Sequence, residues 1–154
     1  MNYQPMSLAP SHDFVARRLV EHPDVAVLTP PSLGFTIERE YHDVLRQMEA
    51  TGVRSVVVDV SNVKDPNAKL FYANMRPCSC EYHKGPNIRA MPVVGITQED
   101  LNMLDAEYDR KRAPLIPLIA SDPKLGLSSF RREVKNVPGF AATLDDAVAE
   151  CLRN

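Results

Sequence analysis

Val53-Arg54-Ser55-Val56-Val57-Val58-Asp59-Val60-Ser61-Asn62 is the stretch whose reading decides the fold. An uninterrupted β-branched run this short suits a strand buried on both faces of a parallel sheet. Asp59 is expensive to bury, so it belongs where the strand emerges at its carboxyl end. In open α/β sheets that edge is where ligands gather. The run therefore indicates a fold class and one residue of interest, without naming a reaction.

Upstream, Val25-Ala-Val-Leu28 reads as a strand stopped by Pro30-Pro31. Thr36 begins a helix as N-cap. Ile37, Tyr41, Val44, Leu45 and Met48 recur at helical spacing, and Gly52 closes the helix. Residues 1–22 read as a leader in which Ser11 or Asp13 caps a short helix through Phe14, Val15, Leu19 and Val20. Downstream, Asp65-Pro66-Asn67 starts a helix with Pro66 at its first position, and Leu70, Phe71 and Met75 supply its stripe. Residues 76–86 form a loop, and 88–95 a strand. Thr97 with Asp100 makes a loose capping box for a helix with Leu101, Leu104 and Tyr108 on one face, and Arg110-Lys111-Arg112 suits its negative end. Leu115–Ile119 is a short edge strand because of Pro117, residues 127–134 are helical, and Thr143 caps a last helix carrying Leu144, Val148 and Leu152. The alternation implies a single α/β domain over 23–154: a mainly parallel sheet of about four strands flanked by helices and joined by right-handed crossovers.

Composition narrows the function classes. The 154 residues suffice for one core, and the formal net charge of −2 provides no basic field for nucleic acid. No stretch approaches the roughly 18–20 apolar residues that span a bilayer. The N-terminus lacks a basic flank and an apolar region, and the three cysteines are an odd set, so reduced thiols in a cytoplasm are expected.

With these parts in place, the segment Val25–Val63 resembles the core of a STAS domain, the fold of sulfate transporters and anti-sigma-factor antagonists. Its parts are a strand (Val25–Leu28), an amphipathic helix (Ile37–Ala50), Arg54, and a V-V-V-D-x-S strand (Val56–Ser61). Pro138 to Leu152 is similar to the family's closing turn and C-terminal helix. Val93-Val94-Gly95 resembles the late strand of the SpoIIAA-like branch. The resemblance covers about two thirds of the chain. It implies a non-enzymatic regulatory module that binds a protein partner at the carboxyl end of the central strand, around Asp59, Ser61, Asn62, Asp65, Asn67 and Lys69. The family's phosphorylatable serine has no counterpart in Lys64-Asp-Pro-Asn-Ala-Lys69, so a phospho-switch is not implied. A homodimer is left open.

Two rival readings stand beside this one. Receiver domains also end a valine-rich strand in Asp, and Met91–Thr97 resembles one of their later strands. The first strand here is followed by Thr29-Pro30-Pro31, without the acidic pair that holds magnesium, so the analogy implies a degenerate receiver. Alternatively, Cys78, Cys80 and His83 could hold a metal or serve a small enzyme, with the 76–86 loop as a lid. C-x-C is tight for zinc and has no second Cys/His pair. Nucleotide-loop, nucleophile-elbow and zinc-protease motifs are missing. The inventory leans away from catalysis, and no cofactor is expected. Asp59 itself has a plain reading as a cap of loop amides. The basic runs at 110–112 and 131–132 read as helix ends, and Ser128-Ser129 as a cap.

Overall fold

A computed structural model of the chain describes residues 1–8, 13–32, 38–74, 86–112, 133–134 and 139–153. Strand β4 (Ser55–Asp59) lies inside the sheet, as the valine run requires. Its side chains alternate between two cores. Val56 and Val58 enter the larger one and Val57 the smaller one. Strand β3 (Val25–Thr29) runs parallel to it in register Ala26↔Val56, Val27↔Val57, Leu28↔Val58, and alternates in the same way. Strands β5 (Val93–Val94) and β6 (Phe140–Ala141) add further parallel neighbours.

The sheet is wider and more mixed than the sequence reading implies. Its order is β1-β2-β3-β4-β5-β6, with β1 (Tyr3–Met6) and β2 (Val15–Leu19) antiparallel to each other and β2 antiparallel to β3. The expectation of about four mainly parallel strands is therefore corrected to six strands in a mixed sheet among the described residues. The leader with a short helix is corrected too: residues 3–6 and 15–19 are strands of that sheet. The apolar residues at 14, 15, 19 and 20 mimic helical spacing, but the buried ones follow the pleat. Phe14 and Ala16 face one core and Leu19 the other, while Val15 is exposed. Arg17 lies 4.5 Å over the Tyr3 ring, and Arg18 donates to the Thr51 carbonyl and hydroxyl. The two arginines thus sit in a strand with their guanidinium groups engaged, one over an aromatic ring and one on Thr51.

Pro5 has a specific place on the β1 edge. Val20 N–H donates to the Asn2 carbonyl, so Asn2 and Val20 form a hydrogen-bonded pair. Antiparallel alternation then gives the same role to Gln4 and Met6, and turns the backbones of Tyr3 and Pro5 outward. The missing proline N–H breaks no ladder bond and blunts the exposed edge. Pro5→Val is expected to restore an outward donor and produce concentration-dependent self-association. Sedimentation velocity that stays monomeric across a hundredfold concentration range would refute this role.

Helices α1 (Glu38–Ala50), α2 (Pro66–Asn74) and α3 (Gln98–Arg112) follow β3, β4 and β5 in turn and contribute to one core on the same side of the sheet. Tyr41, Val44, Leu45 and Met48 of α1 are fully buried there. The rings of Tyr41 and Tyr72 lie tilted with centroids 5.6 Å apart, and Phe14 lies beside both. Helix α4 (Leu144–Arg153) closes the other face with Ala147, Val148 and Cys151. Burial pushes the Cys151 thiol up to about 12, with the nearby acids Glu150 and Asp24 adding to it, so it stays protonated. Thr143 accepts from Asp146 N–H, the cap that the sequence implies.

At the end of α1, Gly52 at φ +97 closes the helix with Gly52 N–H to Glu49 and Val53 N–H to Met48, a Schellman arrangement. The expected strand over 88–95 contracts to Val93–Val94 plus a bridge between Ser55 and Ala90. Residues 115–119, most of 127–134, Thr36 and Ile37 lie outside the described residues. Among the described residues, no helix is long and apolar enough to cross a membrane.

Candidate functional site

The chain leaves β4 through a tight turn. Val60 N–H donates to Val94, and Val63 N–H donates back to Val60, placing Ser61 and Asn62 at the exposed corners between two buried valines. Asp59 stabilises this turn. Its Oδ1 accepts from Ser61 N at 3.0 Å and from Ser61 Oγ at 2.6 Å. This is the amide-capping use of an aspartate at a strand end.

Gly95, just past β5, packs directly on that turn. It has φ +104, and a Cβ placed there would lie 2.6 Å from Ser61 Oγ and collide with the Ser61 backbone. Only a glycine meets both conditions. The approach brings the ends of β4 and β5 close enough for a further contact from α2.

Helix α2 starts as its sequence dictates. Asp65 Oδ1 accepts from Asn67 N–H at 2.9 Å, and Pro66 occupies the first helical position. Its buried residues are Ala68, Lys69, Tyr72 and Ala73, whereas the stripe expected at Leu70 and Phe71 is only half-buried and Met75 lies outside the described residues. Lys69 is accordingly 7% exposed. Its Nζ donates to the Gly95 carbonyl at 2.8 Å and to Asp100 Oδ2 at 2.7 Å. The same Asp100 oxygen accepts from Thr97 N–H at 2.9 Å, while Asp100 N–H donates to Thr97 Oγ1 at 3.1 Å. The capping box of α3 is thus also the anion of a buried ion pair. Burial alone would raise the Asp100 carboxyl. Hydrogen bonds from Lys69 and from the Thr97 amide and hydroxyl, with the Lys69 charge, outweigh burial and hold it below the usual carboxylate range.

The residues singled out in the sequence therefore separate. Asp59, Ser61 and Asn62 form one turn, and Asp65 and Asn67 form the exposed start of α2. Lys69 lies beneath them and joins α2 to β5 and α3. Asp100 was legible only as a cap. The signal for its pairing was the position of Lys69 on the same helical face as Ala68 and Tyr72.

Asn67 Nδ2 also donates to Glu107 Oε2 at 3.0 Å. The first turn of α2 thereby reaches both the third turn of α3, through Asn67, and its first turn, through Lys69, so the two helices pack together. A groove of about 430 Å³ opens between the start of α2 and α3, lined by Asp65, Pro66, Met103, Leu104, Glu107 and Arg110 among others.

Cys78, Cys80 and His83 lie outside the described residues, as do Ser128-Ser129 and Arg131-Arg132. Among the described residues no three Cys, His, Asp or Glu side chains gather as metal ligands. The segment from Asp59 to Lys69 and the first turn of α3 contain neither Cys nor His. No family model, no curated protein and no solved structure matches this chain.

Proposed function

We propose that this chain is a cytoplasmic, non-enzymatic interaction module of STAS-like type, with its working face at the carboxyl ends of β4 and β5. The observation that carries this reading is the way the polar groups of that edge are engaged. Asp59 holds Ser61, and Lys69 holds Asp100 and Gly95. Groups committed to one another are poor nucleophiles and bases, but their bonds hold the exposed turn of Ser61 and Asn62 and the exposed start of α2 at Asp65 and Asn67 in place. A surface already ordered before binding loses little entropy on docking.

The test uses the full chain as bait. A Ser61→Arg/Asn62→Arg double variant is expected to lose a captured partner that wild type retains. Glu21→Arg, exposed in the β2–β3 turn at the opposite end of the strands, should keep it. Loss by Glu21→Arg alone would move the working face elsewhere. Incubation with acetyl phosphate and magnesium followed by intact mass measurement tests the chemistry. A phosphoryl adduct on Asp59 would overturn the non-enzymatic reading and favour a receiver.

A further inference from the structure

Resting on the reading of the chain as an interaction module, we propose that the groove between the start of α2 and α3 takes a short amphipathic helix of a partner protein, one that carries an apolar anchor with a basic residue beside it. Met103, Ala106, Glu107 and Arg110 stand at i, i+3, i+4 and i+7 on α3, the spacing of a helix-packing seam. Across the groove from this seam stands the start of α2, with Asp65, Pro66 and Asn67. Met103 is 54% exposed, the most exposed large apolar side chain on any described helix. Leu104 and Pro66 give the groove an apolar base, and its volume of about 430 Å³ falls in the range of sites that hold small ligands and anchoring side chains.

The charges fix the chemistry of the occupant. Asp65 stands exposed at one rim, with Glu107 beside it and Arg110 further along α3. Asp65 uses Oδ1 to cap Asn67 and keeps its negative charge at the rim. A Lys or Arg next to the anchor would meet Asp65, and an acidic residue one or two turns away would meet Arg110. The groove is also held in shape before anything binds, by Asn67 to Glu107 on its wall and Lys69 to Asp100 beneath. Helix-in-groove recognition uses such a preformed apolar slot with flanking charges.

The experiment is selection of a phage-displayed helical peptide library on the immobilised full chain, followed by titration of synthetic peptides. Enrichment of peptides with an apolar anchor flanked by Lys or Arg is expected. Met103→Glu, at an exposed site where the fold should persist by circular dichroism, is expected to weaken binding at least tenfold. Asp65→Asn keeps the helix cap and removes the charge. It should weaken binding about two- to fivefold at low salt and have less effect at high salt. Peptides that bind Met103→Glu as well as wild type would overturn the groove assignment while leaving the interaction-module reading standing. Enriched peptides without a basic residue would overturn the partner chemistry. No enrichment, or a dimer of the free chain that Met103→Glu dissociates, would overturn the proposal, the latter assigning the groove to a second copy. The bait experiment on Ser61 and Asn62 tests the module reading independently.

Discussion

Lys69→Met is expected to lower the unfolding free energy by about 3–5 kcal/mol, because removing one partner of a buried ion pair leaves the other charge uncompensated. The two side chains are 8% and 11% exposed, so water cannot replace the lost ammonium. Methionine keeps the length and apolar stem of the lysine, and the loss is therefore electrostatic rather than a cavity. The Gly95 carbonyl loses its lysine donor at the same time. Against a typical total stability of about 5–15 kcal/mol, this is a large fraction. Urea unfolding followed by circular dichroism suits a chain with no tryptophan. The double variant Lys69→Met/Asp100→Leu should recover most of the loss, since neither charge is then buried alone. It should still fall short by about 1 kcal/mol, because Thr97 N–H loses its acceptor in the capping box while the Thr97 hydroxyl cap remains. An unchanged midpoint in Lys69→Met would mean that the pair is solvated and does not join the helices.

The same pair sets an acid limb. Asp100 is held below its ordinary value when folded, so the unfolded chain takes up its proton first and acid favours unfolding. The contribution is complete above the unfolded carboxyl value of about 4 and is lost as pH falls through the lower folded value. Asp100→Asn should therefore start less stable at neutral pH and flatten the fall in stability below about pH 4. An acid limb as steep in Asp100→Asn as in wild type would assign the proton uptake to other carboxylates.

Strands with a continuous apolar run and helices with clear caps were legible in the sequence. Val56–Val58, the Asp65-Pro66 start of α2, the Thr97 and Thr143 caps and the Gly52 stop all stand where local chemistry puts them. What was hidden depends on distant partners. Strand β2 reads Val-Ala-Arg-Arg-Leu, and nothing local says that Tyr3 and Thr51 will take up its two arginines. Strands β5 and β6 are two residues long and owe their existence to the neighbour they pair with. The site was half legible for the same reason. Asp59 and Ser61 are two residues apart and bond locally. Lys69 and Asp100 are separated by 31 positions, and a lysine in a short helix reads as surface until its partner is known.

The closest approach at that edge gives a second large effect. Gly95→Ala is expected to cost about 3 kcal/mol or more. The left-handed backbone at φ +104 penalises any Cβ by about 1–2 kcal/mol. Displacing packed neighbours adds roughly 1–3 kcal/mol. The neighbours are the amide nitrogen, Cα and hydroxyl of Ser61. A hydroxyl can rotate away or be removed, but the backbone atoms cannot, so Gly95→Ala/Ser61→Ala should remain strongly destabilised. Gly52→Ala supplies the control. Its φ of +97 imposes nearly the same backbone penalty, yet nothing lies within 4 Å of the added carbon, and about 1–2 kcal/mol is expected. The difference between the two alanines therefore isolates the β4–β5 contact. It should also couple to the ion pair, because moving Gly95 moves the carbonyl that Lys69 binds. Gly95→Ala and Lys69→Met should then be less than additive, as changes sharing one contact are. Equal losses at the two glycines would mean that the turn carrying Asp59, Ser61 and Asn62 yields to the added carbon, and the preorganised edge would lose its physical basis.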